Sequence, residues 1–419
     1  MFKWRNIIVF LLISILICCS GCIRRQETDK IAYILAIGID KEGQDLKTTY
    51  QIAISRKLAG GAEGSGGGGT EETYILTTIK ANNLADSRNI LKSTLPRLPT
   101  AVHLKTIIVG EELAREGLGS LVSPLMRFRE YRGNIFLLVV RGSAQDFMNA
   151  NKTKLENLPS KYYETMFYTA KEGGSTYLLT DLHDFYTRLR SHIGSPYLVY
   201  AGINSMDEIN NPSKPRVKPE KAEEYRPEGI PRSGNGSPTE FVGIALFKAD
   251  KMVGSLTSEE TQMMAILQGD FSQSFFVVED PLELKQSVNV RIQLGEKPKI
   301  NCILNDGQVT YNISVCLEAE ISSIPSGVNY ENDEYKNLLE KQVSQAIDYQ
   351  IRSMLTHTQN LGTDPVGLIA YIRPNFKTYD EMVVANLTDL YSQAEINLDV
   401  KTVIRRTGLM WRTSEINRR

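Results

Sequence analysis

Cysteine is scarce in this 419-residue chain: there are five, and Cys18 and Cys19 fall inside the apolar stretch that opens it. What remains is Cys22, Cys302 and Cys316, so a disulfide framework is excluded and at most one bridge is left. Asp306-Gly307 reads as a two-residue hairpin turn, which sets Cys302 opposite Tyr311 and leaves Cys316 beyond the paired region. Both thiols are therefore expected as buried small hydrophobes. Histidine is as sparse: His103, His183, His192 and His357 are scattered, in no metal-ligand spacing. HExxH, Gly-x-Ser-x-Gly and the phosphate loop ending in Gly-Lys-Ser/Thr are all missing, so zinc-peptidase, α/β-hydrolase and P-loop chemistry lack their parts. A formal net charge of −1 excludes a strongly basic nucleic-acid binder. After residue 22 no apolar run is long enough to span a bilayer.

What is present begins at the start. Lys3 and Arg5 precede an apolar run from Ile7 to Cys19, and Ser20-Gly21-Cys22 closes it. The run falls short of the roughly 18 to 20 residues of a membrane-spanning helix, and its flanks are those of a secretory signal. Cleavage after Gly21 would leave Cys22 first, where its thiol can form a thioether to a diacylglyceryl group. Two or three acyl chains, at about 0.8 kcal/mol per buried CH₂, anchor stably where one binds only marginally. Cys19 stands where Leu is commonest in such a lipobox, while Ser20 and Gly21 are the expected small residues. The competing reading is an ordinary signal peptide with an incidental cysteine after the cut.

Behind a polar spacer, Ile31 to Asp40 and Thr48 to Ser55 read as a β-hairpin turning at Lys41-Glu42-Gly43. The Gly60 to Gly69 tract is a flexible surface loop, without the Lys and helix start of a phosphate cradle. Tyr74 to Ile79 is a strand, and Ala81 to Leu95 a helix with Leu84, Leu91 and Leu95 on one face. Leu104 to Val109 and Ile135 to Val140 flank a helical stretch broken near Gly117 and Pro124, the order of a parallel βαβ crossover. A helix from Ser143 to Ala150 follows, then a partly helical segment, Tyr162 to Arg190, with Leu179, His183, Tyr186 and Leu189 near one face.

Asn204 to Thr239 holds six prolines and many charges, and reads as a linker between domains. Beyond it come Val242 to Phe247, a second strand ending at Val253, a helix from Ser258 to Leu267, and strands at Ser274 to Val278, Ser287 to Leu294, Lys299 to Leu304 and Gln308 to Ile321. Their quick succession suits an antiparallel meander. Glu331 to Thr358 is the clearest helix: Leu339, Val343, Ile347, Ile351 and Leu355 recur every four residues, widened by Leu338, Ala346 and Met354. Glu340, Lys341, Gln345 and Asp348 face solvent by the same count. Glu395 to Ile404 alternates like a final strand.

Two charged clusters invite a chemical reading. Glu111, Glu112 and Glu116 resemble an acid/base group, but they occupy the first turns of a helix, where negative charge suits the macrodipole. Arg405, Arg406, Arg412, Arg418 and Arg419 make a basic tail that suits anionic headgroups, a solvated terminus or a partner equally.

Taken together, the chain resembles the Ger(x)C family, the C subunits of spore germinant receptors. The likeness rests on the lipobox followed by Ile34-Leu35-Ala36-Ile37-Gly38-Ile39-Asp40, on His103-Leu104-Lys105 running through Val109 to Gly117, and on Val140-Arg141-Gly142-Ser143-Ala144. It continues in Gly243-Ile244-Ala245-Leu246-Phe247, in Leu361-Gly362-Thr363-Asp364 after the long helix, and in Ile404-Arg405-Arg406-Thr407-Gly408-Leu409. Ile23, in place of a common Trp, and the Gly-rich tract depart from the pattern.

The resemblance implies a non-enzymatic lipoprotein on the outer face of the spore inner membrane, working with an integral-membrane A subunit and a transporter-like B subunit in sensing nutrients. It carries over one residue, Cys22, as the lipidation site bearing diacylglycerol and palmitate-type chains. It implies no catalytic residue, cofactor or metal. The expected fold is α+β (mixed α/β), a three-domain lipoprotein body whose C-terminal antiparallel sheet is covered by the long amphipathic helix. The expected organisation is a signal peptide at 1–21, an N-terminal region at 22–203 with a break near 142–160, a Pro-rich linker at 204–239 and a C-terminal domain at 240–419. The rival function is a solute-binding lipoprotein of an uptake system. Such proteins use two doubly wound lobes, against which the antiparallel second half argues.

Overall fold

The first apolar stretch forms β1 (Ile31–Glu42), which turns into β2 (Asp45–Ala53) as the expected antiparallel hairpin. A computed structural model of the chain describes residue 4 and residues 30–54, 73–152, 156, 159–170, 174, 176–191, 194–204, 237–408 and 410. β3 (Tyr74–Ala81) pairs with β2, and α1 (Leu84–Thr94) starts on Asn83, whose side chain accepts the Asp86 amide. Of the predicted α1 stripe only Leu91 is fully buried. The short β4 (Leu98–Thr100) runs parallel beside the start of β1.

β5 (Thr106–Gly110), α2 (Glu111–Glu116), α3 (Gly119–Arg127) and β6 (Phe136–Val140) make the predicted crossover, with β5 parallel to both β1 and β6. The break falls at Gly117 alone. Pro124 sits inside α3, on its exposed side, where the cost is one hydrogen bond and its own carbonyl still receives the Phe128 amide. α4 (Ala144–Ala150), α5 (Pro159–Ala170) and α6 (Leu182–Arg190) lead to β7 (Tyr197–Ile203), parallel to β6. The buried side of α6 is Leu182 and Phe185; His183, expected on it, is exposed.

Across the Pro-rich stretch the large sheet continues. β8 (Thr239–Lys248) pairs antiparallel with β7, Ile203 opposite Thr239, and the Asn204 amide donates to Pro238 O at 2.8 Å. The ends of the Pro-rich stretch are thus held together in one sheet, while its residues 205–236 lie outside the described residues. β8 and β9 (Lys251–Leu256) complete a nine-stranded sheet in the order β3-β2-β1-β5-β6-β7-β8-β9, with β4 beside β1. The free edge of β7 needs a ladder partner, and the first apolar run beyond the prolines supplies it.

α7 (Ser258–Gln268) opens on a capping box, Thr257 with Glu260, and stops on left-handed Gly269. It leads to a five-stranded sheet of β10 (Gln273–Glu279), β11 (Ser287–Leu294), β12 (Lys299–Asn305), β13 (Gln308–Ser323) and, at the end of the chain, β14 (Glu395–Arg406). The predicted turn is there: Asp306 and Gly307 both have positive φ, 49° and 82°, and Cys302 lies opposite Tyr311. The plain meander is not. β11 skips β12 and pairs with the second half of β13, whose first half holds β12, so the 16-residue β13 carries both. β14 runs parallel to β13, not antiparallel. α8 (Asp333–Leu361) makes the crossover that parallel pairing requires, followed by α9 (Ile369–Ile372), α10 (Tyr379–Val384) and α11 (Leu387–Ser392).

The fold is therefore mixed α+β, with α8 over the inner face of the C-terminal sheet. Leu339, Val343, Ile347, Ile351, Met354 and Leu355 are its buried stripe. Leu338, predicted at the margin, is exposed, and Glu340, predicted to be solvated, accepts the Ile404 amide at 2.7 Å. Three apolar clusters make up the core: one on each face of the large sheet and one under α8. The last also takes in Tyr197, Ile244, Leu246 and Leu256 of the large sheet, so the two layers share it.

Candidate functional site

The one residue assigned a chemical role by sequence, Cys22, lies outside the described residues, as do the Gly60 to Gly69 tract, His192, Arg412, Arg418 and Arg419. Two places in the described body have the location of a site: the carboxyl ends of the parallel strands and the seam between the two sheets.

Open sheets with parallel centres bind ligands outside their strand carboxyl ends. Here β1 ends its apolar run on Asp40, which is buried. Its oxygens accept the Ala144 amide at 2.6 Å, the Gln145 amide at 3.0 Å and the Ser143 hydroxyl at 3.1 Å. These are the free donors at the start of α4, so the chain's own carboxylate fills the place of an anion. Gly110 makes this possible, because a Cβ there would collide with Asp40 Oδ1. Beside it Glu111 accepts from Arg115 Nε and from the Tyr200 hydroxyl, each at 2.8 Å, and Glu116 pairs with Lys41 at 2.7 Å. Burial first, and then the Glu111 carboxylate, holds the Tyr200 phenol well above its ordinary pKa. Glu111 and Glu116 are thus bound into structural pairs; Glu111 and Glu112 open α2 as the macrodipole reading has them, whereas Glu116 is its last residue, which corrects that reading. The role of Asp40 escaped sequence reasoning; its signal was an acid ending an otherwise apolar strand.

At the seam, the loop after α8 is organised by Asp364. Its carboxylate accepts the amides of Gly367 at 2.9 Å and Ile369 at 2.6 Å, and its own amide and carbonyl pair with Ser195 Oγ and Ser195 N at 2.8 and 2.7 Å. Burial pushes its carboxyl up to about 6, against the opposing pull of those amides and of the Arg188 charge. Next to it a cavity of about 430 Å³ opens, lined among others by Arg188, Ser195, Lys248, Gly362, Asn386 and Thr388. Arg188 stacks 4.7 Å above the centroid of Tyr197. The cavity has hydrogen-bonding groups and the cations Arg188 and Lys248, and among the described residues that line it none is a histidine, cysteine or carboxylate.

The remaining candidates are apart. His103 packs edge-on against Tyr33, and His357 Nδ1 lies 2.8 Å from Glu260 Oε1, whose other oxygen completes the α7 capping box. Among the described residues no three His, Cys, Asp or Glu side chains could hold a metal. Cys302 and Cys316 are free thiols, and both are only partly buried, which corrects the buried reading. Cys302 packs toward the α8 core; Cys316 falls on the opposite, solvated face of β13, between inward-facing Val315 and Leu317.

Comparison with known proteins places the chain. The family model described as spore germination protein N-terminal domain matches residues 24–203, and that described as spore germination B3/GerAC like, C-terminal, matches residues 242–408. The chain belongs to this Ger(x)C family of spore germination proteins. Among its relatives, YfkR of Bacillus subtilis is 24% identical over 404 residues, covering 96% of each chain. Spore germination protein KC of the same organism is 22% identical over 409 residues, covering 96% of this chain and 95% of that one. The crystal structure of the GerBC protein shares the fold, with a TM-score of 0.53 at 18% identity over 88% of this chain and 96% of that one.

Proposed function

We propose that the mature chain is a non-enzymatic subunit of a nutrient germinant receptor, held by a diacylglyceryl thioether on Cys22 to the outer face of the spore inner membrane. There it works with an integral-membrane A subunit and a transporter-like B subunit. The observation that carries this reading is the match of both family domains directly behind a lipobox. Two structural features support it. The carboxyl ends of the parallel strands are filled by Asp40 rather than left for a ligand. The second sheet is antiparallel but for one pair, unlike the second doubly wound lobe of a solute-binding lipoprotein.

Deletion of the chain, together with its paralogues, is expected to slow the loss of spore refractility on at least one nutrient; a normal rate on every nutrient overturns the receptor role. Cys22→Ala is expected to leave the body folded and move it from the membrane to the soluble fraction in a high-salt wash. Full membrane retention with normal maturation overturns the anchor.

A further inference from the structure

We infer that the amino-terminal edge of the large sheet lies against the bilayer and binds anionic phospholipid headgroups. This rests on the Cys22 anchor and adds an orientation to it. Eight residue steps separate Cys22 from Lys30, where the described fold begins, so the tether reaches at most about 29 Å. Whatever surface surrounds the start of β1 is therefore the part of the body held nearest the membrane.

That surface is basic and apolar. Ile31 pairs with Leu98 and Tyr33 with Thr100, and the Tyr33 ring meets His103. Ala101 next donates its amide to Glu130, which also pairs with Arg88, and the Arg88 guanidinium lies 5.2 Å from the Phe128 centroid. Contacts thus run from the start of β1 to the loop between α3 and β6. On this path Leu98, Val102 and Phe128 are exposed by 49%, 39% and 45%, large apolar groups facing water. Next to them in the chain are the half-buried Arg97 and the exposed Arg127, Arg129 and Arg132, none of which makes an ion pair among the described residues. Glu130, the acid in their midst, is taken up by Arg88 and the Ala101 amide.

Unpaired arginines around exposed aromatic and aliphatic side chains are the composition of a surface that sits at a headgroup layer. Another exposed apolar group, Phe275, Val277 and Leu284 on and after β10, has Arg291 opposite Phe275, but that guanidinium is paired with Glu320, and with Glu279, Glu283 and Lys285 in the same stretch there is no basic excess. It lacks the charge to face an anionic membrane.

The test is vesicle co-sedimentation of the mature Cys22→Ala chain, which has no acyl group, with phosphatidylglycerol-containing or pure phosphatidylcholine vesicles. Binding is expected to the anionic vesicles alone and to weaken with salt. The triple change Arg127→Gln, Arg129→Gln, Arg132→Gln should weaken it about a hundredfold, at roughly fivefold per basic residue, while Arg→Lys at the same positions retains it. Equal binding of the Gln variant and wild type, equal binding to neutral vesicles, or no binding at all overturns the inference, the last leaving the surface to an acidic protein. Because acylation plays no part here, failure is separate from failure of the anchor, which lipid labelling of Cys22 in cells reads directly.

Discussion

The two sheets of this protein bury their residues by different rules. In the large sheet the central strands are covered on both faces: every residue of β5 and all but the first of β6 are buried, Leu137 and Leu138 alike. In the small sheet only one face is covered. β13 alternates from Val309 to Ile321, and β10 buries Phe276 and Val278 while Phe275 and Val277 are exposed. Parallel strands are joined by crossovers that lay helices on both faces, whereas hairpin-connected strands can leave one face in water. A continuous apolar run and an alternating one thus record how many layers stand beside a strand.

The largest effects break this contrast. Leu137→Ala and Leu138→Ala, neighbours pointing to opposite faces, should each destabilise by about 2–5 kcal/mol. In β10 the same pair of steps divides: Phe276→Ala should cost about 3–5 kcal/mol and Phe275→Ala less than about 0.5 kcal/mol, as chemical denaturation would measure. Comparable costs for the two β10 variants would show that something covers the outer face of the small sheet.

The next effect sharpens the seam between the sheets. Asp364 has a folded pKa of about 6, above the ordinary carboxylate value of 3.8. Between these values the folded state binds more protons than the unfolded, so stability falls as pH rises from about 4 to about 6, by up to about 3 kcal/mol. Asp364→Asn should flatten that dependence in denaturation curves taken across the window. An unchanged slope would mean that the carboxyl is not desolvated in solution.

At the opposite edge, Asp40→Ala should cost about 2 kcal/mol by leaving the Ala144 amide without its acceptor, and calorimetry would register the loss. Stability within about 0.5 kcal/mol of wild type would show that water replaces the carboxylate there. The smallest effect is chemical. Cys316, on the solvated face, should react faster with a thiol reagent than Cys302, whose thiol burial pushes up, and equal rates would contradict the two-faced sheet.

Much of the fold was legible because its signals are local. The four-residue stripe of α8, Asp306-Gly307, the βαβ apolar runs and the opposition of Cys302 and Tyr311 each depend on neighbours within a few residues of one another. The site was less legible. Asp40 meets Ser143, Ala144 and Gln145 more than a hundred positions away, and Asp364 meets Ser195 across 169. Nothing beside either acid in the chain announces its donors.

By itself the sequence determined the type and phase of most elements and the family pattern. Propensity, turn chemistry and side-chain period act over short stretches. Only the tertiary structure decided that β8 and β9 complete the large sheet across the Pro-rich stretch, that β11 and β12 share β13, and that β14 runs parallel to it. A strand's sequence specifies which face it buries. Which edge it joins, and in which direction, depends on the ladders and layers left unfilled by the rest of the chain.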